Sequence, residues 1–247
     1  MSLAVQIQGL DFAYKNQPQL IKDLHLDVKQ GERFGIFGPN GAGKTTLMSL
    51  VTGLLHYDHG SVKILDKEVK IHKDDINKMI GLVPQDFSFY EELSPAENME
   101  FFGAWYGLNK DQIKQKTAEL LAVMGLNDVQ HKPVKQFSGG MKRRVNLAIG
   151  VMNNPKVLFL DEPTVGVDVH SRNAIIAFLK KINEEEGTTL VYTSHQLKEA
   201  EDLCQSIAMI DQGKIIAEDS LDNLLVKHQQ DGLEGLFLEL TGRDYRD

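Results

Sequence analysis

The sequence predicts an α/β fold: a parallel β-sheet with helices on its faces, opened by a β-rich segment and interrupted by a helical insertion. Three observations carry this. The glycine-rich stretch Gly38-Pro39-Asn40-Gly41-Ala42-Gly43-Lys44-Thr45 joins an apolar, β-prone run, Arg33 to Phe37, to a helical pattern, Thr46 to Val51. The second half alternates short apolar runs with helical periodicity, the pattern of parallel strands joined by crossover helices. Between the two, Phe87 to about Val134 carries helix signals without strands.

Taken in order, Leu3 to Leu10 alternates as a strand, and Leu24, Leu26 and Val28 alternate again after a polar turn at Lys15 to Pro18. Gln30-Gly31-Glu32 turns the chain into the strand before the glycine-rich loop, and Gly53 ends the helix after it. Ser61 to Leu65 and Lys67 to Ile71 read as a hairpin around Asp66, and Ile80 to Pro84 as a buried strand presenting Gln85. Ser94-Pro95-Ala96-Glu97 is a capping box with proline at the first helical position, and Gly107 should end that helix. Asp111 to Met124 places Ile113, Thr117, Leu120, Leu121 and Met124 on one side, with Gly125 as its stop. The pattern continues with a helix from Met141 to Met152, an apolar strand from Lys156 to Asp161, a helix from Val169 to about Glu186, and a strand from Thr189 to Ser194 ending in His195. A helix from Gln196 to Cys204 follows. Ile207 to Ile210 and Lys214 to Ala217 form a hairpin turning at Asp211-Gln212-Gly213, and helical tails complete the chain.

Composition bounds the function. The 247 residues, 42% of them hydrophobic, suffice for a sizeable core. A formal net charge of -8 argues against a nucleic-acid surface, which needs a basic face to neutralise phosphate. The single cysteine, Cys204, can form no intrachain disulfide and suits a reducing compartment. Met1 to Leu10 lacks the basic start and apolar core of a signal peptide, and no apolar run reaches the roughly 18 residues of a membrane span. Any membrane role is therefore expected to be peripheral. Seven of the aromatics, Phe87, Phe89, Tyr90, Phe101, Phe102, Trp105 and Tyr106, gather in one short segment that offers a dock for a partner, with Phe89 and Tyr90 expected on its surface.

The chemistry begins at the glycine-rich loop, which fits the phosphate-cradling spacing of glycine, four residues, glycine, lysine and a hydroxyl residue. Glycines permit close backbone approach, so N–H groups converge on phosphate oxygens while the helix dipole adds partial positive charge. Lys44 supplies a point charge, and the Thr45 hydroxyl is placed to ligate Mg²⁺. In open α/β sheets ligands gather beyond the carboxyl ends of the strands. Asp161 and Glu162 would lie there if their strand neighbours the phosphate-loop strand. Asp161 could then hold Mg²⁺ and Glu162 orient or deprotonate the attacking water, with His195 within reach of the γ-phosphate. Ser138-Gly139-Gly140 is a second anion-binding candidate: serine can cap the helix, and the glycines leave backbone donors open at its positive end. Alone, each of these is a common turn; their order behind a phosphate loop is what gives them weight.

In that order the chain resembles the ATP-binding subunit of an ABC transporter. Tyr14 stands at the position of the adenine-stacking aromatic, Gly38 to Thr45 at the Walker A loop with Thr46 after it, and Gln85 at the Q-loop glutamine. Phe137-Ser138-Gly139-Gly140-Met141 matches the signature, Lys156 to Asp161 the Walker B strand with Glu162 as catalytic carboxylate, Asp168 the D-loop aspartate and His195 the switch histidine. The resemblance implies a P-loop NTPase core of ABC ATPase type with an N-terminal antiparallel β-subdomain and an inserted α-helical subdomain. The expected division is an ATPase domain over 1–220, comprising parts 1–86, 87–134 and 135–220, and a helical tail over 221–247. It also implies ATP and Mg²⁺ as cofactors, with Thr45, Gln85 and Asp161 at the metal. Hydrolysis falls to Glu162, His195, Gln85 and Lys44. Nucleotide contacts come from Tyr14, Gly38, Pro39, Asn40, Gly41, Ala42, Gly43, Lys44, Thr45, Thr46, Ser138, Gly139, Gly140 and Asp168.

The partners it implies are an integral membrane subunit and a second ATP-binding subunit, in a head-to-tail homodimer that pairs one chain's Walker motifs with the other's signature. The place it implies is the cytoplasmic face of the cell membrane. Met141 departs from the commoner glutamine and cannot supply its side-chain hydrogen bonds; this variant, followed by Lys142-Arg143-Arg144, resembles the subgroup that exports drugs, lipids, polysaccharides or haem-related cargo. The alternative is a soluble ABC ATPase with a non-transport role, although the chain has neither coiled-coil heptads nor a cysteine cluster. A purely regulatory nucleotide-binding module sits poorly with Glu162 and His195.

Overall fold

The strand that enters the glycine-rich loop lies inside the larger of two sheets in the computed structural model, which describes residues 2–242. The chain begins with β1 (Leu3–Ala13), β2 (Gln19–Lys29), β3 (Arg33–Phe37), α1 (Lys44–Val51), β4 (His59–Ile64), β5 (Lys67–Glu68), α2 (Lys73–Asn77) and β6 (Ile80–Val83). It continues with α3 (Pro95–Trp105), α4 (Lys110–Val123), α5 (Gly139–Gly150), β7 (Val157–Asp161), α6 (Val169–Glu186), β8 (Thr189–Ser194) and α7 (Leu197–Leu203). It closes with β9 (Ser206–Asp211), β10 (Lys214–Ser220), α8 (Leu221–His228) and α9 (Leu233–Thr241).

The smaller sheet is antiparallel, in the order β2-β1-β4-β5. The larger runs β10-β9-β3-β8-β7-β6, with β9, β3, β8, β7 and β6 parallel and β10 antiparallel at its edge. Its central strands β7 and β8 are buried throughout because both faces are covered. Along β7, Val157 and Phe159 pack with the smaller sheet and α1, while Leu158 and Leu160 pack with the helices on the other side. β9 repeats the alternation: Ala208 and Ile210 face one core, Ile207 and Met209 the other. Successive side chains of a strand point to opposite faces, so a continuous apolar run is what a doubly covered parallel strand requires. Each such fully buried Leu, Ile or Phe contributes about 1.5–3 kcal/mol.

One condition of the sequence reading is not met. The strand ending in Asp161 does not neighbour the phosphate-loop strand, because β8 stands between β3 and β7. Register closes the gap: Phe37 pairs with Ser194 and Asp161 with Thr193, so the three strands end at one level.

The helical insertion begins as its capping signals dictate. Ser94 Oγ accepts from Glu97 N at 3.3 Å while Glu97 Oε2 accepts from Ser94 N at 2.8 Å, and Pro95 opens α3. Gly107 and Gly125, at φ 79 and 63, end α3 and α4. The aromatic cluster divides differently from expectation. Phe89 is buried, stacked on Phe87 with ring centres 5.1 Å apart, so it belongs to the core and not to a docking face. Tyr90, Phe101 and Trp105 are the exposed members. The short α2, anchored by Ile76 alone, carries too little periodicity to be read from sequence. The expected tail is helical through α8 and α9, which bury Leu224, Leu233, Leu236 and Phe237; its residues 243–247 lie outside the described residues. No helix among the described residues is long and apolar enough to cross a membrane.

Candidate active site

The loop from Gly38 to Gly43 connects β3 to α1 and needs glycine at both of its ends. A Cβ on Gly38 would lie 2.1 Å from Ile210 O, and Gly43 caps α1 at φ 108 with Ile21 Cδ1 2.9 Å from the position of a Cβ. α1 has no side-chain cap and no acidic residue in its first turn, which leaves its positive end to an anion. Lys44, the first residue of α1, is buried; its Nζ donates to Gly38 O at 2.8 Å and Pro39 O at 3.2 Å and stands 3.9 Å from Glu162 Oε1. Burial pulls its pKa below the usual lysine range, and the nearby carboxylates of Glu162 and Asp161 oppose that shift.

The carboxylates converge from the ends of β7 and β8. Asp161 Oδ1 accepts from Thr193 Oγ1 at 2.5 Å, and Asp161 is also hydrogen-bonded to Thr45. Burial pushes its carboxyl above the usual aspartate range, against the lowering effect of those two hydrogen bonds. Glu162 is buried and sits at φ 48, the left-handed region that costs a non-glycine residue about 1–2 kcal/mol. Its N–H is held at 3.2 Å by both Thr193 O and Thr193 Oγ1. Its carboxylate receives Gln85 Nε2 at 3.1 Å on Oε2. His195 Nδ1 lies 3.1 Å from Oε1, a close approach outside hydrogen-bond alignment. Tyr14 is exposed at the edge: its hydroxyl is 3.1 Å from Thr46 Oγ1, and its ring meets Phe12 edge-on at 4.9 Å.

Lys44, Thr45, Thr46, Gln85 and Glu162 therefore share one cleft, together with Asn40, Gly41, Gly43 and Leu20. Ser138, Gly139, Gly140 and Asp168 lie outside it and form a second group. Ser138 caps α5, its Oγ accepting from Met141 N at 3.3 Å, and Gly139 and Gly140 make the first turn. Asp168 caps α6 through Ser171 N at 2.9 Å and Ser171 Oγ at 2.8 Å, bonds that hold its carboxyl below the usual range. The two caps touch: a Cβ on Gly140 would lie 2.8 Å from Ser171 Oγ.

Two residues at the first cleft lie outside the sequence expectation: Thr193, buried behind it against Asp161 and Glu162, and Leu20 on its lining. Thr193 stands two residues before His195, but β8 also carries Thr189, Tyr192 and Ser194, so its sequence alone does not single that hydroxyl out. Leu20, from β2 of the other sheet, reaches the cleft by tertiary packing alone.

A strand–loop–helix anion cradle with a buried lysine, a hydroxyl-bonded aspartate and an adjacent, pre-aimed glutamate defines a P-loop nucleoside triphosphatase. The chain belongs to the ABC transporter family, whose model matches residues 21–165, and is the ATP-binding, ATP-hydrolysing subunit that powers such a transporter. It is 40% identical over 213 residues to the linearmycin resistance ATP-binding protein of Bacillus subtilis, spanning 86% of this chain and 68% of that protein. It is 32% identical over 230 residues to the methionine import ATP-binding protein MetN of Clostridioides difficile, spanning 92% of this chain and 71% of that one. Its fold matches a dimeric ATP-binding cassette in a post-hydrolysis state bound to ADP and Pi, with TM-score 0.80, 28% identity, and coverage of 88% of this chain and 98% of that one.

Proposed function

We propose that this subunit powers an exporter and works as a head-to-tail dimer of two copies of this chain, docked against an integral membrane subunit on the cytoplasmic face of the cell membrane. No nucleic acid takes part. The observation that carries the reading is the convergence of Lys44, Gln85 and Glu162 in one cleft, with Asp161 and His195 in contact with its lining, while Ser138 and Asp168 lie outside it. The working parts are 1–86, 87–134 and 135–220, with the tail over 221–247.

The N–H groups of Gly41 to Thr46 bind the phosphates at the open end of α1, with Pro39 and Asn40 shaping the loop, and Lys44 exchanges its carbonyl partners for phosphate oxygens. Tyr14 stacks on the adenine. Thr45, Gln85 and Asp161 offer hydroxyl, amide and carboxylate oxygens, a hard donor set that fits Mg²⁺. The cation neutralises charge on the phosphate oxygens when bound. Glu162 takes the proton of the attacking water, held in place by Gln85, and His195 reaches the γ-phosphate from the end of β8. Ser138, Gly139, Gly140 and Asp168 serve the nucleotide held by the other copy, a role supported by their absence from the lining of the cleft in their own chain. The membrane subunit docks at the groove between α2 and the end of α3, where Leu54 and Trp105 are 64% and 79% exposed. Tyr90 and Phe101 extend this surface, and Phe89 does not. Export is favoured over import by the higher identity to the resistance protein than to the import protein.

Glu162→Gln tests the chemistry: ATP binding should persist while turnover falls by about two to four orders of magnitude. Near-normal turnover would remove Glu162 from the role of base. Direction is tested by ATP-dependent cargo movement in inverted vesicles containing the co-purifying membrane protein; uptake into such vesicles is the exporter result, and release from them is the importer result.

A further inference from the structure

Arg143 lies in the second turn of α5, is only 6% exposed, and has no part in the chemistry above. A buried guanidinium persists only where its donors are engaged. Its Nη1 donates to Gln85 O at 2.5 Å and reaches Pro84 O at 3.4 Å, and its Nε is 3.4 Å from Val165 O. The guanidinium carbon stands 4.8 Å from the centre of the Phe87 ring. One side chain thus spans the connection around Gln85 and the turn between Glu162 and Asp168. Asn146, three residues on and so on the same helix face, adds a bond from Nδ2 to Pro84 O at 3.1 Å and accepts from Ser88 Oγ at 3.4 Å. The flanking cations turn elsewhere: Lys142 to Glu91 at 2.7 Å and Arg144 to Met124 O at 2.8 Å. Burial lowers the proton affinity of Arg143, and the carboxylates of Asp86, Glu162 and Asp161 oppose this.

We propose that Arg143, assisted by Asn146, is a positioning residue that fastens the Gln85 connection to α5, so that a displacement of α5 at Ser138 moves the Gln85 amide that contacts Glu162. The proposal rests on the reading that Ser138 meets the nucleotide of the other copy. Under it, nucleotide at one site sets the catalytic carboxylate of the other. A planar fork suits this task because it holds acceptors on two segments in a fixed relative direction, which an ammonium does not.

The test uses the full chain carrying Arg143→Met or Arg143→Lys, with Glu162 intact for turnover and with Glu162→Gln for binding and dimerisation. ATP affinity should stay within about twofold and the ATP-dependent dimer should still form, while turnover falls about tenfold or more in both variants. A residue that merely fills space would not separate turnover from binding in this way. If Arg143→Met does not fold, Arg143→Lys decides, since it keeps the charge and the stem. Wild-type turnover in Arg143→Lys overturns the proposal, as does loss of its nucleotide binding, which would make Arg143 part of the scaffold. Ser138→Arg with Glu162→Gln is the control: if that protein still dimerises with ATP, the head-to-tail reading has failed, and with it the coupling between sites, whatever Arg143 does.

Discussion

Around Lys44 the charged groups are buried and already engaged with one another, whereas Ser138, Gly139 and Asp168 are exposed and their caps are satisfied only by neighbours three residues away. The first group draws on four separated stretches of chain, at Lys44, Gln85, Asp161-Glu162 and His195, and its geometry is set before any nucleotide arrives. The second is two helix starts side by side with nothing of their own to clamp. The difference teaches that contacts within one copy organise the Lys44 cluster, whereas the helix starts at Ser138 and Asp168 are left exposed at its surface.

The comparison breaks most severely at Lys44. Replacing it with methionine removes the cation beside Glu162 and Asp161 as well as the phosphate contact, so hydrolysis should vanish and ATP affinity fall on the order of a hundredfold. Titration with a fluorescent ATP analogue checks this, and unchanged affinity would mean that the buried cluster is structural only. Ser138→Arg attacks the other group alone: monomer affinity for ATP should hold, and the dimer seen by light scattering with Glu162→Gln should disappear.

The aromatic segment sharpens the same contrast between buried and presented groups. Phe89→Ala should cost about 3 kcal/mol of stability in denaturant unfolding, as a buried aromatic does. Trp105→Ser should leave stability within about 0.5 kcal/mol and ATPase activity intact, yet weaken capture of the membrane subunit. Equal destabilisation by both substitutions would contradict the division. The smallest effect is expected at Tyr14, on the open rim. Tyr14→Ala should weaken ATP binding by roughly 1–3 kcal/mol if the ring stacks on the base, and Tyr14→Phe by less, since it loses only the bond to Thr46.

Features that depend on a few adjacent residues were determined by the sequence itself. The glycine spacing before Lys44, the capping box at Ser94, the stops at Gly107 and Gly125, and the β9–β10 hairpin at Gln212 and Gly213 all act within one turn of chain. The order of polar residues at strand ends likewise placed Asp161, Glu162 and His195 correctly, because strand ends in a parallel sheet face one edge. Tertiary structure alone decided that β8 separates β3 from β7, that Phe89 turns inward while Trp105 turns out, and that Arg143 rather than Lys142 or Arg144 is driven into the core. Those outcomes rest on contacts between residues tens of positions apart, such as Arg143 with Gln85 or Thr193 with Asp161. A side chain's identity states what it can bond, but its burial and its partner follow from which elements the packed sheets bring against it.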